Sequence, residues 1–209
     1  MPLLWSTTAA VIYLLRHGQS TTNALGLLVG RSDPALTDHG RRQAKSLHGW
    51  LDGVERVITS PLQRARETAA IAVPTIEATV DHAFIEVDYG DLDGTPLAEV
   101  SEEQWRAFEA DHSQPLGNGE SLHAVDQRVH ARLDELASGA ESLLHDPDRH
   151  LLIVSHVSPI KSALTWAMGV HGATAWRMRI DNGGVSVVGA RRGTPTLVRA
   201  NVVPPLVES

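Results

Sequence analysis

Ala10-Val11-Ile12-Tyr13-Leu14-Leu15-Arg16-His17-Gly18 is the stretch that decides the fold. Six apolar residues in a row, Ala10 to Leu15, predict a buried strand, and Arg16, His17 and Gly18 follow at its carboxyl end. Leu151 to Ser155 predicts a second buried strand, ending at His156. Helical patterns separate the two. Thr37 caps a helix whose inner face carries Ala44, Leu47 and Leu51, and a short strand, Arg56 to Thr59, comes next. Ser60-Pro61-Leu62-Gln63 then offers an N-cap, a proline at the first helical position and a capping-box Gln, for a helix through Ala65, Ala69 and Ala72.

Further along, Phe84 to Val87 predicts a short strand, and Thr95-Pro96 starts a helix reaching about Ala110. The longest helix is expected from Ser121 to Leu144, with Val125, Val129, Leu133, Leu136, Ala140 and Leu143 on one face. Ser158-Pro159 caps the next, whose stripe is Ile160, Ala163, Leu164 and Ala167. Gly184 to Val203 predicts two strands around the turn Arg191 to Pro195. Strands alternating with helices give an α/β sheet covered on both faces. The pattern calls for one domain over 1–209, with 203–209 as a loose tail. Ligands in such folds bind at the carboxyl ends of strands, where His17 and His156 stand.

Composition narrows the chemistry. The 209 residues include no Cys, so thiolate nucleophiles, Cys-built zinc sites and disulfides are excluded. Eighteen Lys and Arg face 25 Asp and Glu, a net charge of −7, which argues against nucleic acid bound through a broad basic face. The apolar segment Leu3 to Leu15 has no Lys or Arg before it and is interrupted at Ser6, Thr7 and Thr8, unlike a signal peptide or a spanning helix. A cytoplasmic protein with no membrane partner is expected. Its oligomeric state is left open, a dimer included.

Nine of the eleven His fall on polar faces or loops and are expected to be solvated: His39, His48, His82, His112, His123, His130, His145, His150 and His171. His17 and His156 differ because strand ends put them at one sheet edge. Gly18 lets the backbone approach a ligand, and a helix starting near Ser20 aims its free amides at the same place. Two histidines, Arg16 and two helix starts describe an anion site, best suited to phosphate.

Here the chain resembles the histidine phosphatase superfamily, also called phosphoglycerate mutase-like. The resemblance rests on Leu15-Arg16-His17-Gly18-Gln19-Ser20 with Asn23, Gly30 to Thr37, Gly40 to Ala44, and Ser60 to Ala65 with Thr68-Ala69. It continues through Glu86 with Tyr89-Gly90, Gly119-Glu120-Ser121 and Val154-Ser155-His156, in family order over nearly the whole chain. It implies a three-layer α/β/α sandwich with a mostly parallel central sheet. It implies His17 as the nucleophile taking a phosphoryl group, Arg16, Arg64 and His156 as the phosphate cradle with Asn23 assisting, and Glu86 as the proton donor. Arg31 is expected to contact substrate or to pair with Asp33. The expected partner is a small phosphorylated molecule, with no metal and no cofactor. Where many members have Gly-Gly after the second histidine this chain has Val157-Ser158, and the run Val157-Ser158-Pro159-Ile160-Lys161 is similar to an α-ribazole phosphatase-like branch.

Three rivals stand beside this reading. A mutase needs cations for a second acidic group, yet Gly94 to Gly119 has only Arg106 among Glu99, Glu102, Glu103, Glu109 and Asp111. Asp91-Leu92-Asp93-Gly94-Thr95 matches the DxDGT of haloacid-dehalogenase-type phosphatases, but without the apolar strand that should precede it. A phosphate-binding scaffold without turnover is the non-enzymatic alternative. Asp88, Asp91 and Asp93 rival Glu86 as the acid, and Arg66 is expected on the helix surface. Trp105 and Phe108, at helical spacing, are assigned to the core ahead of a substrate pocket.

Overall fold

The computed structural model describes residues 10–138, 150–191 and 193–206. Its strands are β1 Ile12–Arg16, β2 Val54–Thr59, β3 Ala78–Val80, β4 His150–Ser155, β5 Val185–Arg191 and β6 Thr194–Val202. Its α-helices are α1 Thr21–Ala24, α2 Asp38–Lys45, α3 Gln63–Ala72, α4 Glu102–Ala110, α5 Leu122–Ser138 and α6 Val157–Met168. The sheet order is β3-β2-β4-β1-β5-β6, with β1 to β4 parallel and β5 and β6 antiparallel at one edge.

Alternation along the strands builds the layers. Ile12, Leu14, Ile58, Leu151 and Ile153 face one core with Val129 and Leu133 of α5 and Ile160 and Leu164 of α6. Tyr13, Leu15, Val57, Leu152 and Val154 face the other, with Ala65 and Ala69 of α3 and Leu47 just past α2. The result is a three-layer α/β/α sandwich. Each fully buried Leu, Ile or Val contributes about 1.5–3 kcal/mol, so the central strands with both faces covered are the stable frame.

Several local expectations give way to tertiary contacts. The first strand starts two residues later than expected and ends one later, taking in Arg16. Helix α3 starts at Gln63 with Leu62 as an N-cap that makes no side-chain bond, because Ser60 Oγ turns to Leu62 N and to His156. No strand forms over Phe84 to Val87; a 3-10 turn at His82–Phe84 is followed by extended chain. The helix expected from Thr95 begins at Glu102, where Ser101 and Gln104 make the capping box that Thr95-Pro96 lacks. Helix α6 begins at Val157, so Pro159 sits in its first turn, where a missing N–H costs nothing. Ala140, Leu143 and Leu144 of the expected long helix lie outside the described residues. Pro204, in the expected tail, is buried.

One close approach fixes the site's floor. A Cβ on Gly18 would lie 2.3 Å from Gly40 O, and a Cβ on Gly40 would lie 2.2 Å from Gln19 O. Both obstacles are backbone and cannot swing aside. Gly40→Ala is therefore expected to cost about 2–3 kcal/mol, seen as a lower urea midpoint at unchanged slope.

Candidate active site

Strand register brings the two histidines together. Arg16 of β1 pairs with Ser155 of β4, so the residues that follow, His17 and His156, emerge side by side with ring centroids 5.0 Å apart. His17 N donates to Ser155 O at 3.0 Å, and Ser60 N at the end of β2 donates to Val154 O at 3.0 Å. Three parallel strands thus end at one place.

The tautomer of His17 follows from its neighbour. Its Nδ1 lies 2.7 Å from Gly18 O, and a carbonyl can only accept. The proton is therefore on Nδ1 and the lone pair on Nε2, where Arg64 Nε donates at 3.2 Å. Arg64 is completely buried, and its other nitrogens donate to Ser32 O at 2.7 Å and Gly30 O at 2.8 Å. That loop is held by Asp93, whose carboxylate accepts from Gly30 N at 3.0 Å, Ser32 N at 2.7 Å and Ser32 Oγ at 2.8 Å. The DxDGT-like segment thus supplies a clamp on the loop beneath Arg64.

Arg16 donates through one terminal nitrogen to Ile180 O at 2.7 Å, while its buried Nε finds no partner among the described residues. His156 contacts Ser60 Oγ through Nε2 at 2.7 Å, and its buried Nδ1 is likewise unpartnered. Two unpaired buried polar atoms and the Arg64 guanidinium thus belong to the immediate neighbours of His17, the kind of lining an anion needs. Glu86 is 4% exposed and is tied to the first turn of α6. Its oxygens accept from Val157 N at 3.1 Å, Ser158 N at 3.2 Å and its own chain's Val87 N at 2.9 Å.

Electrostatics keep the imidazoles neutral. Burial, then Arg64 and Arg16, hold His17 well below its ordinary value, and burial and Arg64 do the same to His156. Burial also pulls Arg16 down to about 10, against the pull of Glu86 and Asp181. Among the described residues no group of three His, Asp or Glu side chains is placed to hold a metal ion.

The profile of the Histidine phosphatase superfamily (branch 1) matches residues 12–203. The chain belongs to the histidine phosphatase superfamily. It is 33% identical over 188 residues to the bifunctional protein Rv2228c of Mycobacterium tuberculosis, covering 86% of this chain and 50% of that one. The chain thus spans about half the length of that relative. It is 31% identical over 188 residues to the Yersinia pestis protein named "Probable phosphoglycerate mutase GpmB", covering 85% and 83%. The crystal structure of the α-ribazole phosphatase from Shigella flexneri superposes with a TM-score of 0.78 at 27% identity, covering 95% of this chain and all of that one. No described helix is long and apolar enough to cross a membrane.

Within this superfamily fold, the residues singled out from sequence fall into two sets. Arg16, His17, Arg64, Glu86 and His156 converge. Gly18 supports them through its N–H, which donates to Thr68 Oγ1 at 3.0 Å. Ser20 caps α1, and Asn23 Oδ1 accepts from Ser20 N at 3.1 Å, Ser20 Oγ at 2.9 Å and Asn182 Nδ2 at 3.2 Å. Arg31 does not pair with Asp33; it bridges Asp88 at 3.5 Å and Glu120 at 3.2 Å at the surface. Phe108 is buried and Trp105 packs against the same cluster.

Ser60, Thr68, Asp93 and Asn182 are supporting residues that sequence reasoning did not assign. Ser60 and Thr68 had a trace inside the matched segments, and Asp93 one in the DxDGT-like run and as a rival acid to Glu86; Asn182 had none. His39, His112, His130 and His150 are partly buried rather than solvated, His150 packing on Tyr13 and His130 Nε2 lying 3.0 Å from Ser162 O. His145 lies outside the described residues.

A neutral buried pair makes stability pH-dependent. Both folded values are depressed below about 6.5, so the stabilisation is fully present above that pH and is lost as pH falls. Each histidine is expected to contribute a slope approaching 1.4 kcal/mol per pH unit below about pH 6.5. Urea titrations between pH 7.5 and 5.5 check this, with His156→Gln expected to remove one share of the slope.

Proposed function

We propose that the chain is a phosphatase that hydrolyses small-molecule phosphomonoesters through a phosphohistidine on His17, without a metal. The observation that carries this reading is the Nδ1 contact with Gly18 O at 2.7 Å, which leaves the lone pair on Nε2, facing the buried guanidinium of Arg64. Nε2 attacks phosphorus, the phosphorus–oxygen ester bond breaks, and Glu86 gives its proton to the departing alkoxide. Water then attacks the phosphohistidine, Glu86 takes a proton from it, and the phosphorus–nitrogen bond breaks to release inorganic phosphate. Two easier displacements replace one difficult one. Arg16, Arg64 and His156 hold the phosphoryl oxygens, and Arg64 Nε exchanges its bond to His17 for one to phosphate. Phosphoryl transfer needs little more than positioning and charge stabilisation.

Hydrolysis is favoured over mutase chemistry by Arg106. It lies on the exposed face of α4, paired with Glu102, and so is no ligand for a second acidic group in the cradle. The test is phosphate release across sugar phosphates, phosphoglycerates, nucleotides and α-ribazole phosphate, with rapid quenching of the enzyme. A phosphoenzyme labile to acid and stable to base is expected. Interconversion of phosphoglycerates without phosphate release overturns the hydrolytic reading, and no turnover on any ester supports a binding scaffold.

A further inference from the structure

The segment 180–184 wraps the root of the cradle. Arg16 N donates to Gly184 O at 3.0 Å, and Gly183 N donates to Arg16 O at 3.1 Å and to His17 O at 3.2 Å. Asn182 Nδ2 adds a bond to His17 O at 3.1 Å. Ile180 is buried, and its carbonyl takes a terminal nitrogen of Arg16 at 2.7 Å. That carbonyl orients the guanidinium, since the buried Nε finds no acceptor among the described residues.

Asn201, near the end of β6, holds this segment from the edge of the sheet. Asp181 N donates to Asn201 Oδ1 at 2.8 Å, and Asn201 Nδ2 donates to Asp181 Oδ2 at 2.8 Å. A side-chain amide that accepts and donates at one residue fixes both its place and its direction. The strand is bent to allow it. Between Arg199 and Val202 the pairing with β5 slips by a residue, and Asn201 lies in that bulge. Its φ is 51°, the one positive value outside glycine among the described residues. Asn accepts the left-handed region more readily than most side chains, yet the conformation persists only where surrounding contacts enforce it. Ser186 Oγ takes Asn201 N at 3.0 Å, and a Cβ on Gly184 would lie 2.3 Å from Asn201 Oδ1.

We propose that Asn201 is a positioning residue for Arg16: it locks the 180–184 segment, and that segment aims the guanidinium into the phosphate cradle. The proposal rests on the phosphatase reading above and extends the site to the last strand of the sheet. Asn201 acts through Asp181 and Ile180, not on the substrate. Charge follows the same route. The Asn201 bond is the first cause holding the Asp181 carboxyl below its ordinary range, with burial opposing it and Arg179 assisting. The Asp181 carboxylate in turn favours the charged form of Arg16, as Glu86 does.

Asn201→Gly is the first test, because glycine accepts the positive φ and only the amide is lost. On p-nitrophenyl phosphate its kcat/KM is expected to fall about tenfold or more, with Tm lowered by no more than about 5 °C. Asn201→Asp sets one carboxylate against another and is expected to lose as much. Adding Asp181→Asn restores a donor opposite an acceptor and is expected to recover most of that loss. In protein already carrying Arg16→Met, Asn201→Gly is expected to change kcat/KM less than about twofold. An unaffected kcat/KM in Asn201→Gly, no recovery in the exchanged pair, or a full loss beside Arg16→Met overturns the proposal. NMR of isotope-labelled arginine reads the side chain itself, with Arg16→Lys assigning its signals. A held Arg16 gives separate Nη resonances, which Asn201→Gly is expected to merge; separate resonances retained in that variant overturn the proposal. This measurement needs no turnover. Failure of the phosphatase reading shows apart from it, as no phosphate released by the unaltered chain.

Discussion

His17→Ala is expected to lower the rate of phosphomonoester hydrolysis by about 10⁴-fold or more, the scale on which enzymes lose turnover when their nucleophile is removed. The cradle should survive the change. Arg64 keeps its bonds to Ser32 O and Gly30 O, and His156 keeps Ser60 Oγ at 2.7 Å. Affinity for inorganic phosphate should therefore stay within about tenfold, and the loss should appear in kcat. The measurement is steady-state hydrolysis beside phosphate binding, with a quenched-flow search for phosphoenzyme. Joint loss of turnover and phosphate binding would make His17 a structural member of the site. Activity that persists and is abolished by EDTA would return the nucleophile to Asp91, the first Asp of the DxDGT-like segment, while Asp93 is held by the Gly30 and Ser32 backbone N–H groups.

The parts of this molecule legible in the sequence are those governed by local pattern. An apolar run followed by Arg16-His17-Gly18 announces a strand end, and the same logic finds His156. What places them 5.0 Å apart is the pairing of β1 with β4, across more than 130 residues, and no local pattern encodes it. The errors share that origin. Ser60-Pro61 has the form of a helix cap, yet the hydroxyl is taken by His156. Phe84 to Val87 has strand composition, but Ser155 Oγ binds Phe84 O at 2.7 Å and the segment serves to present Glu86. Arg31 has an acid two residues away and chooses Glu120, 89 residues distant. The net charge of −7 is also uninformative about the ligand, since the cations that matter are buried at one sheet edge.

Arg64 should show the second-largest effect, because it does three things at once. Its three nitrogens reach His17 Nε2, Ser32 O and Gly30 O from a position with no exposed surface. The nearest carboxylate, Asp33, is 4.0 Å away and itself partly exposed. The guanidinium is therefore desolvated and under-compensated: burial lowers its proton affinity, only partly offset by Glu86, Asp33 and Asp93. Such a charge costs folding energy when the site holds no anion and stabilises an incoming phosphoryl group strongly, since nothing must be reorganised to meet it. Arg64→Met is expected to lower kcat/KM by about 10³-fold, or about 4 kcal/mol of transition-state stabilisation. Arg64→Lys keeps the charge but cannot span three acceptors, and about 10²-fold is expected there. Phosphate at a hundred times its Kd should stabilise the unaltered chain by about 2.7 kcal/mol, raising Tm by roughly 5–10 °C at this length. In Arg64→Met that rise should shrink below about 2 °C at the same phosphate concentration, because the affinity has gone with the cation. A full thermal shift retained in Arg64→Met would move the phosphate off this guanidinium and leave Arg64 the lesser task of holding the 30–32 loop against His17.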